Sequence, residues 1–250
     1  MNKLFVLLKK DLLGLWRTKK ILILGLVFLL FALSSPVLAY YTPDIVKMAS
    51  PNLVLNIPKA TIFDSYHQFS GNLSQIGLFV LIILSASEIV TERQKGQFTS
   101  LLNNGVNKAQ FVLAKILSQV VVFSLIFLFA IGFFGIYNFV LFNRAFAGHS
   151  VLSFALLYVY FLFVLTLCNF FSSFSKSLAI TMVFSFAVTV LMSIFNIFKF
   201  GKYLPSALPG LFESVLKSER LTNAYQTMGI TVLVTVVLLG LAIRFCRNKD

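Results

Sequence analysis

Apolar residues run through this chain in blocks whose length matches a lipid bilayer. Six blocks reach or approach the roughly 18–20 residues that a helix needs to cross the hydrocarbon core. They lie at about 21–41, 69–90, 109–138, 151–171, 178–198 and 227–246. Pro36 falls in the outer third of the first and is expected to kink or fray it. The second opens weakly, with Ser70, Asn72, Ser74 and Gln75, before a strong run from Ile76 to Leu84. This polar start either lines a water-filled cavity or, as we read it, sits in the outer headgroup zone. The third carries Lys115, which is expected to snorkel at its inner end. Residues 42–68, with Pro43, Pro51 and Pro58, read as a polar, irregular connection.

Between the blocks lie three shorter patterned stretches. Residues 1–20 form a basic amphipathic helix, with Leu4, Leu8, Leu12 and Leu15 or Trp16 on one stripe and Lys3, Lys10 and Arg17 on another. Such a helix lies in the membrane interface. A signal peptide cut after Val37-Leu38-Ala39 is set aside, because the basic region is too long and the run after it is long enough to span. Within residues 199–226, Leu208, Leu211, Phe212, Val215 and Leu216 recur at helical spacing and predict a short amphipathic helix. The third stretch, Glu88 to Lys115, is the longest structured polar interruption. Glu88 and Glu92 are four apart, share a helix face and could pair with Arg93, Lys95 or Lys108, locking the elbow to the span. Gly96 can end or turn that helix. Phe98, Leu101 and Leu102 then make a short apolar stripe, and we read 91–108 as an elbow that docks a partner.

Composition supports this arrangement. Apolar residues make up 58% of the 250 and charged residues 12%, about half the charge of a soluble domain. The net charge of +13 does not point to nucleic acid, because no Lys/Arg stripe is interleaved with aromatics in a polar domain. It fits the basic loops that membrane proteins keep on the cytoplasmic side. With the N-terminus inside, fourteen of the 21 Lys and Arg residues fall on inner segments, including Arg93, Lys95, Lys108, Lys176, Arg247 and Lys249. The remaining seven, among them Lys59, Lys199 and Lys217, fall outside. Both termini and the elbow are therefore placed in the cytoplasm. Cys168 and Cys246 have no metal-type spacing and read as small buried apolar residues.

The chemistry of an enzyme is missing from the pattern. There is no phosphate-cradling Gly-x-x-x-x-Gly-Lys-Ser/Thr and no His-Glu-x-x-His. The two histidines, His67 and His149, lie on outer segments far from Glu88 and Glu92. The spans hold almost no ionisable residue at mid-depth, where ion carriers usually keep one. Asn169 and Asn196 read as interhelical hydrogen-bonding residues. The membrane body has no energy-converting chemistry of its own, and its structured elbow suggests an energised partner. A stand-alone membrane binding or immunity-type protein without ATP coupling is the alternative.

The elbow carries a resemblance. Glu92-Arg93-Gln94-Lys95-Gly96, then Phe98 with Leu101-Leu102, then Lys108, then Phe111-Val112-Leu113-Ala114-Lys115 resembles the segment after span two in ABC-2 type transporter permeases. The chain departs from that pattern at Gln97, where Thr is usual, at Asn104-Gly105, where Pro is usual, and in carrying Lys108 for Arg. The resemblance covers nearly the whole chain and implies an all-α polytopic membrane fold of the ABC-2 exporter type. Six transmembrane helices in one transmembrane domain would follow an N-terminal interfacial helix. It implies a non-catalytic permease subunit of the cell membrane, with membrane lipids around it and a second permease subunit beside it, in a homo- or heterodimer. ATP would be bound by separate cytoplasmic ABC ATPase subunits, not by this chain. The ATPase-coupling residues it implies are Glu88, Glu92, Arg93, Lys95, Gly96, Phe98, Leu101, Leu102 and Lys108, with the helix at about 97–104 seated in an ATPase groove.

Overall fold

The computed structural model describes residues 3–49, 58–103, 105–198 and 200–248. Pro51, Asn104, Lys199 and Lys249, which enter the sequence reading, lie outside them. Among the described residues the chain is helical throughout. Helix α1 (Lys3–Arg17) leads into α2 (Lys20–Ala49). The second span is built from α3 (Ile62–Asn72), a π-helical turn at Leu73–Gly77 and α4 (Leu78–Gln94). Helix α5 (Gln97–Asn103) connects it to α6 (Lys108–Phe142). Helices α7 (Ser150–Phe174) and α8 (Leu178–Phe195) follow, then α9 (Leu208–Leu216) and α10 (Leu221–Asn248). Six helices are long and apolar enough to cross a membrane.

Residues 42–49 and 62–68 are helical, where the prolines suggest an irregular connection. Helix α2 continues through Pro36 and Pro43 to Ala49, and α3 starts at Ile62. A proline costs its helix one backbone hydrogen bond, which nearby polar side chains can compensate inside a membrane. Separately, Ser35, buried beside Pro36, accepts a hydrogen bond from Asn72 Nδ2 at 3.3 Å and ties α2 to α3. The start of α3 is fixed by Asp64, whose Oδ2 accepts from the Thr61 N–H at 2.7 Å and from its hydroxyl at 2.8 Å. The Asp64 N–H returns a bond to Thr61, and the pair makes a capping box.

Helix α7 is the hub. Two thirds of its apolar window (67%) is buried, against 17% for α8 and α10, and it packs on α10, α4, α9, α6 and α8. Phenylalanine rings fill the core. Phe28, Phe123 and Phe161 meet at centroid distances of 5.6–5.8 Å in the half nearer α1. Tyr66, Phe134, Phe154 and Phe212 meet at 4.9–6.0 Å in the other half. All five apolar residues that predicted the short helix α9 are buried. Its Glu213 pairs with His67 of α3 and ties it to the end of the bundle opposite α5.

Several polar side chains within the spans are paired. Gln119 and Asn169 exchange amide hydrogen bonds between α6 and α7, at 2.8 and 3.5 Å. Ser65 donates to Asn138 at 2.7 Å between α3 and α6, and Asn196 accepts from Ser206 at 3.0 Å. Thr181, Ser185, Thr189 and Ser193 mark every turn of α8, each bonded to the carbonyl four residues back. This back-bonding lets hydroxyls lie in an apolar span.

Candidate functional site

At the end of the bundle that carries α1 and α5, four helices converge on one buried ammonium. Lys115, on α6, is only 2% exposed. Its Nζ lies 2.9 Å from Asp11 Oδ1 of α1, 2.9 Å from Glu92 Oε1 and 3.3 Å from Glu88 Oε2, both of α4. Lys10 of α1 closes on Glu92 at 3.0 Å and on Asp11 at 3.5 Å. Lys20, the first residue of α2, donates to Glu88 and, at 2.6 Å, to the Ser87 hydroxyl. Three carboxylates face three ammonium groups, so the cluster is neutral as a whole. That balance is what allows charges to be buried at all. Burial pushes the Asp11 carboxyl above the usual carboxylate range, against the pull of Lys115 and then Lys10, with Glu92 adding to the rise.

The cluster corrects three expectations. Lys115 does not snorkel to the surface, because three acids hold it inside. Glu88 and Glu92 pair with Lys20, Lys10 and Lys115, not with Arg93, Lys95 or Lys108 as the local sequence suggests. Arg93 is next to Glu92 and turns to another face, where Nη1 caps the end of α7 at the Ser172 carbonyl (3.1 Å) and Nη2 reaches Cys246 Sγ (3.4 Å). Lys95 is exposed at the C-cap of α4, and Lys108 is half-buried at the start of α6. On α1 the buried stripe is Leu7, Asp11 and Leu15, whereas Leu4, Leu8 and Leu12 flank it and Trp16 is 63% exposed. Lys10 leaves the basic face for the cluster. A carboxylate on the inner stripe, the one acid in a basic helix, is the signal that could have found this site.

The elbow is built on two glycines. Gly96 follows α4 with φ +70°, and its N–H bonds the Arg93 carbonyl at 3.1 Å. Helix α5 then starts at Gln97. Gly105, at φ +74°, donates to the Leu102 carbonyl at 2.9 Å, and the Val106 N–H reaches the Leu101 carbonyl at 3.2 Å. This pair of bonds, with Val106 and Leu101 both packed on the core, is a Schellman closure. It explains why Gly can stand where the family pattern has Pro: both stop the helix, by different means.

Phe98 and Leu101 face inward. The Phe98 ring meets Phe111 at 5.0 Å, edge to face, and the Arg93 guanidinium lies 5.1 Å from its centroid. Leu102 is half-buried, and Gln97 and Ser100 are exposed. The apolar stripe thus anchors α5 to the body, and its polar side is displayed. Gly105→Ala should cost about 1–2 kcal/mol for the left-handed backbone. It should show as about tenfold faster amide exchange across 97–103, with the α6–α7 core unchanged.

Farther along the span, Ser74 and Gln75 lie 12 and 13 residues from the start of α3 at Ile62, about 18 Å along the helix at 1.5 Å per residue. They line a groove of about 750 Å³ with Thr189 and Ser193 of α8 and Tyr160 of α7. The π-helical turn at Leu73–Gly77 forms its wall, a feature common at functional sites.

Comparison with known proteins matches one family, described as ABC-2 family transporter protein, over residues 7–191. The matched segment runs from α1 into α8 and contains every residue of the ion cluster. No curated protein matches the chain significantly.

Proposed function

This chain belongs to the ABC-2 family of transporter proteins, as a multi-pass membrane permease of an ABC transporter, and from that premise we propose that a separate ATPase drives it through α5. The observation that carries the proposal is the position of α5 between two helix ends fused by buried charge. Helix α4 enters it and α6 leaves it, and Lys115 joins both through Glu88 and Glu92. Asp11 and Lys10 add α1 to the same unit, and Lys20 adds α2. A push on α5 therefore moves four helices as one body. A loop held only by solvated charges would absorb the push.

In this reading Gln97, Ser100, Lys95 and Gly96 meet the ATPase, and Phe98 and Leu101 transmit the contact to Phe111. Glu88, Glu92 and Arg93 brace the elbow from behind. ATP is bound and hydrolysed on the partner, and a second permease subunit completes the membrane body. Arg93 brings the end of α10 to the elbow through Cys246, so α1 and the end of α10 lie at the end of the bundle with α5. The excess of Lys and Arg there supports a cytoplasmic placement of that end, in a cell membrane. Transport is outward in this reading. Purification of the full-length chain from its native membrane should bring down a protein with a phosphate-binding Gly-x-x-x-x-Gly-Lys-Ser/Thr motif that hydrolyses ATP. Recovery of a folded, functional chain without any such protein would favour a stand-alone binding protein.

A further inference from the structure

A second groove, of about 750 Å³, runs down the outside of the bundle between α2 and α6. Its walls are wholly apolar, from Ile21 and Leu22 to Leu33 on α2, with Phe129 on α6. Gly25 forms its floor, where an added Cβ would stand 4.0 Å from Ile126. Leu22, Leu26 and Phe129 are 55%, 64% and 64% exposed, so the groove opens to the surroundings of the bundle. Residues 21–33 cover about 18 Å at 1.5 Å per residue, close to one leaflet's share of a hydrocarbon core about 30 Å thick.

Two exposed basic residues precede the groove in the chain. Lys19 and Arg17 stand at the turn just before Ile21, both exposed, and neither belongs to the ion cluster, which takes Lys10 and Lys20 instead. Lys19 holds a left-handed backbone, φ 58°, where Gly or Asn would be the usual residue. The turn keeps a cation despite that strain. Trp16 beside it is 63% exposed, as expected of a ring at headgroup level.

We infer that this groove seats one anionic phospholipid of the leaflet on the α1 side. An acyl chain lies along α2 from Leu22 to Leu33, and the phosphate meets Arg17 and Lys19. A second copy of the chain fits less well. A twofold contact sets the same patch against itself, which would bring the Arg17 and Lys19 pairs together without counter-charge. The inference rests on membrane placement alone and is independent of ATPase coupling.

The test is native mass spectrometry of the full-length chain in neutral detergent, titrated with phosphatidylglycerol or with phosphatidylcholine of the same acyl chains. One phosphatidylglycerol should be retained about 25-fold more tightly than phosphatidylcholine, about fivefold for each cation. Arg17→Gln with Lys19→Gly should bring the ratio close to one while relieving the strained turn. Gly25→Leu should weaken both lipids alike. Equal retention of the two lipids by the unaltered chain would overturn the inference, as would a preference that survives Arg17→Gln with Lys19→Gly. A chain dimer that Gly25→Leu dissociates would also overturn it, by giving the groove to a second copy.

Discussion

Lys115→Met is expected to cost about 3–5 kcal/mol, the usual penalty for removing one member of a buried ion network. Folded domains are stable by about 5–15 kcal/mol in all, so the variant should lose a large share of its stability and unfold at a clearly lower temperature. The cause is charge balance. Without Lys115, the carboxylates of Asp11, Glu88 and Glu92 face only Lys10 and Lys20, and the site holds one uncompensated negative charge. Asp11 is 3% exposed and Glu88 8%, so water cannot make up the deficit. Adding Asp11→Asn to Lys115→Met restores neutrality, with Glu88 paired to Lys20 and Glu92 to Lys10. The double variant should recover most of the lost stability, read as thermal unfolding of the purified chain. If Lys115→Met alone unfolds at the same temperature as the unaltered chain, the cluster is not a brace.

The second large effect is expected at the displayed side of α5. Gln97→Trp with Ser100→Trp leaves the packed side of the helix intact, since Phe98 and Leu101 hold it to the body. It should weaken ATPase association by about 30-fold or more, the scale of a lost interface hot spot. The thermal stability of the chain alone should not change. Lys217→Ala, at the opposite end of the bundle, should leave association unaltered. Loss of coupling with association intact would place the ATPase contact elsewhere on the elbow.

The spans and the elbow were legible in the sequence because their signals are local. A run of about 20 apolar residues, a glycine after a helix, and Phe98, Leu101 and Leu102 at helical spacing each depend on neighbours within a few turns. The partners of Glu88 and Glu92 were not legible for the opposite reason. Lys20 lies 68 residues from Glu88, and Lys10 lies 82 residues from Glu92. Arg93 and Lys95, though close in sequence, point away along the helix. The inner face of α1 was misread because its centre is an acid, and an Asp among lysines looks like a surface residue until a buried cation accounts for it. The helix that carries the second span starts earlier than its apolar run, because its first turns, with Asp64, His67 and Gln68, are polar. Their helix is announced by Thr61 and Asp64, a cap rather than an apolar pattern. The stripe on α5 was found, but the direction it faces is set by Phe111, which only the fold supplies.

Covalent capture at α5 tests the central claim most directly. The native cysteines, Cys168 and Cys246, are buried, so Gln97→Cys offers a selective thiol for a benzophenone maleimide. Illumination of native membranes should join the full-length chain to an ATP-hydrolysing protein through residue 97, and the same label on Lys217→Cys should not. A folded chain labelled at residue 97 that captures only lipid, or nothing, would contradict the account.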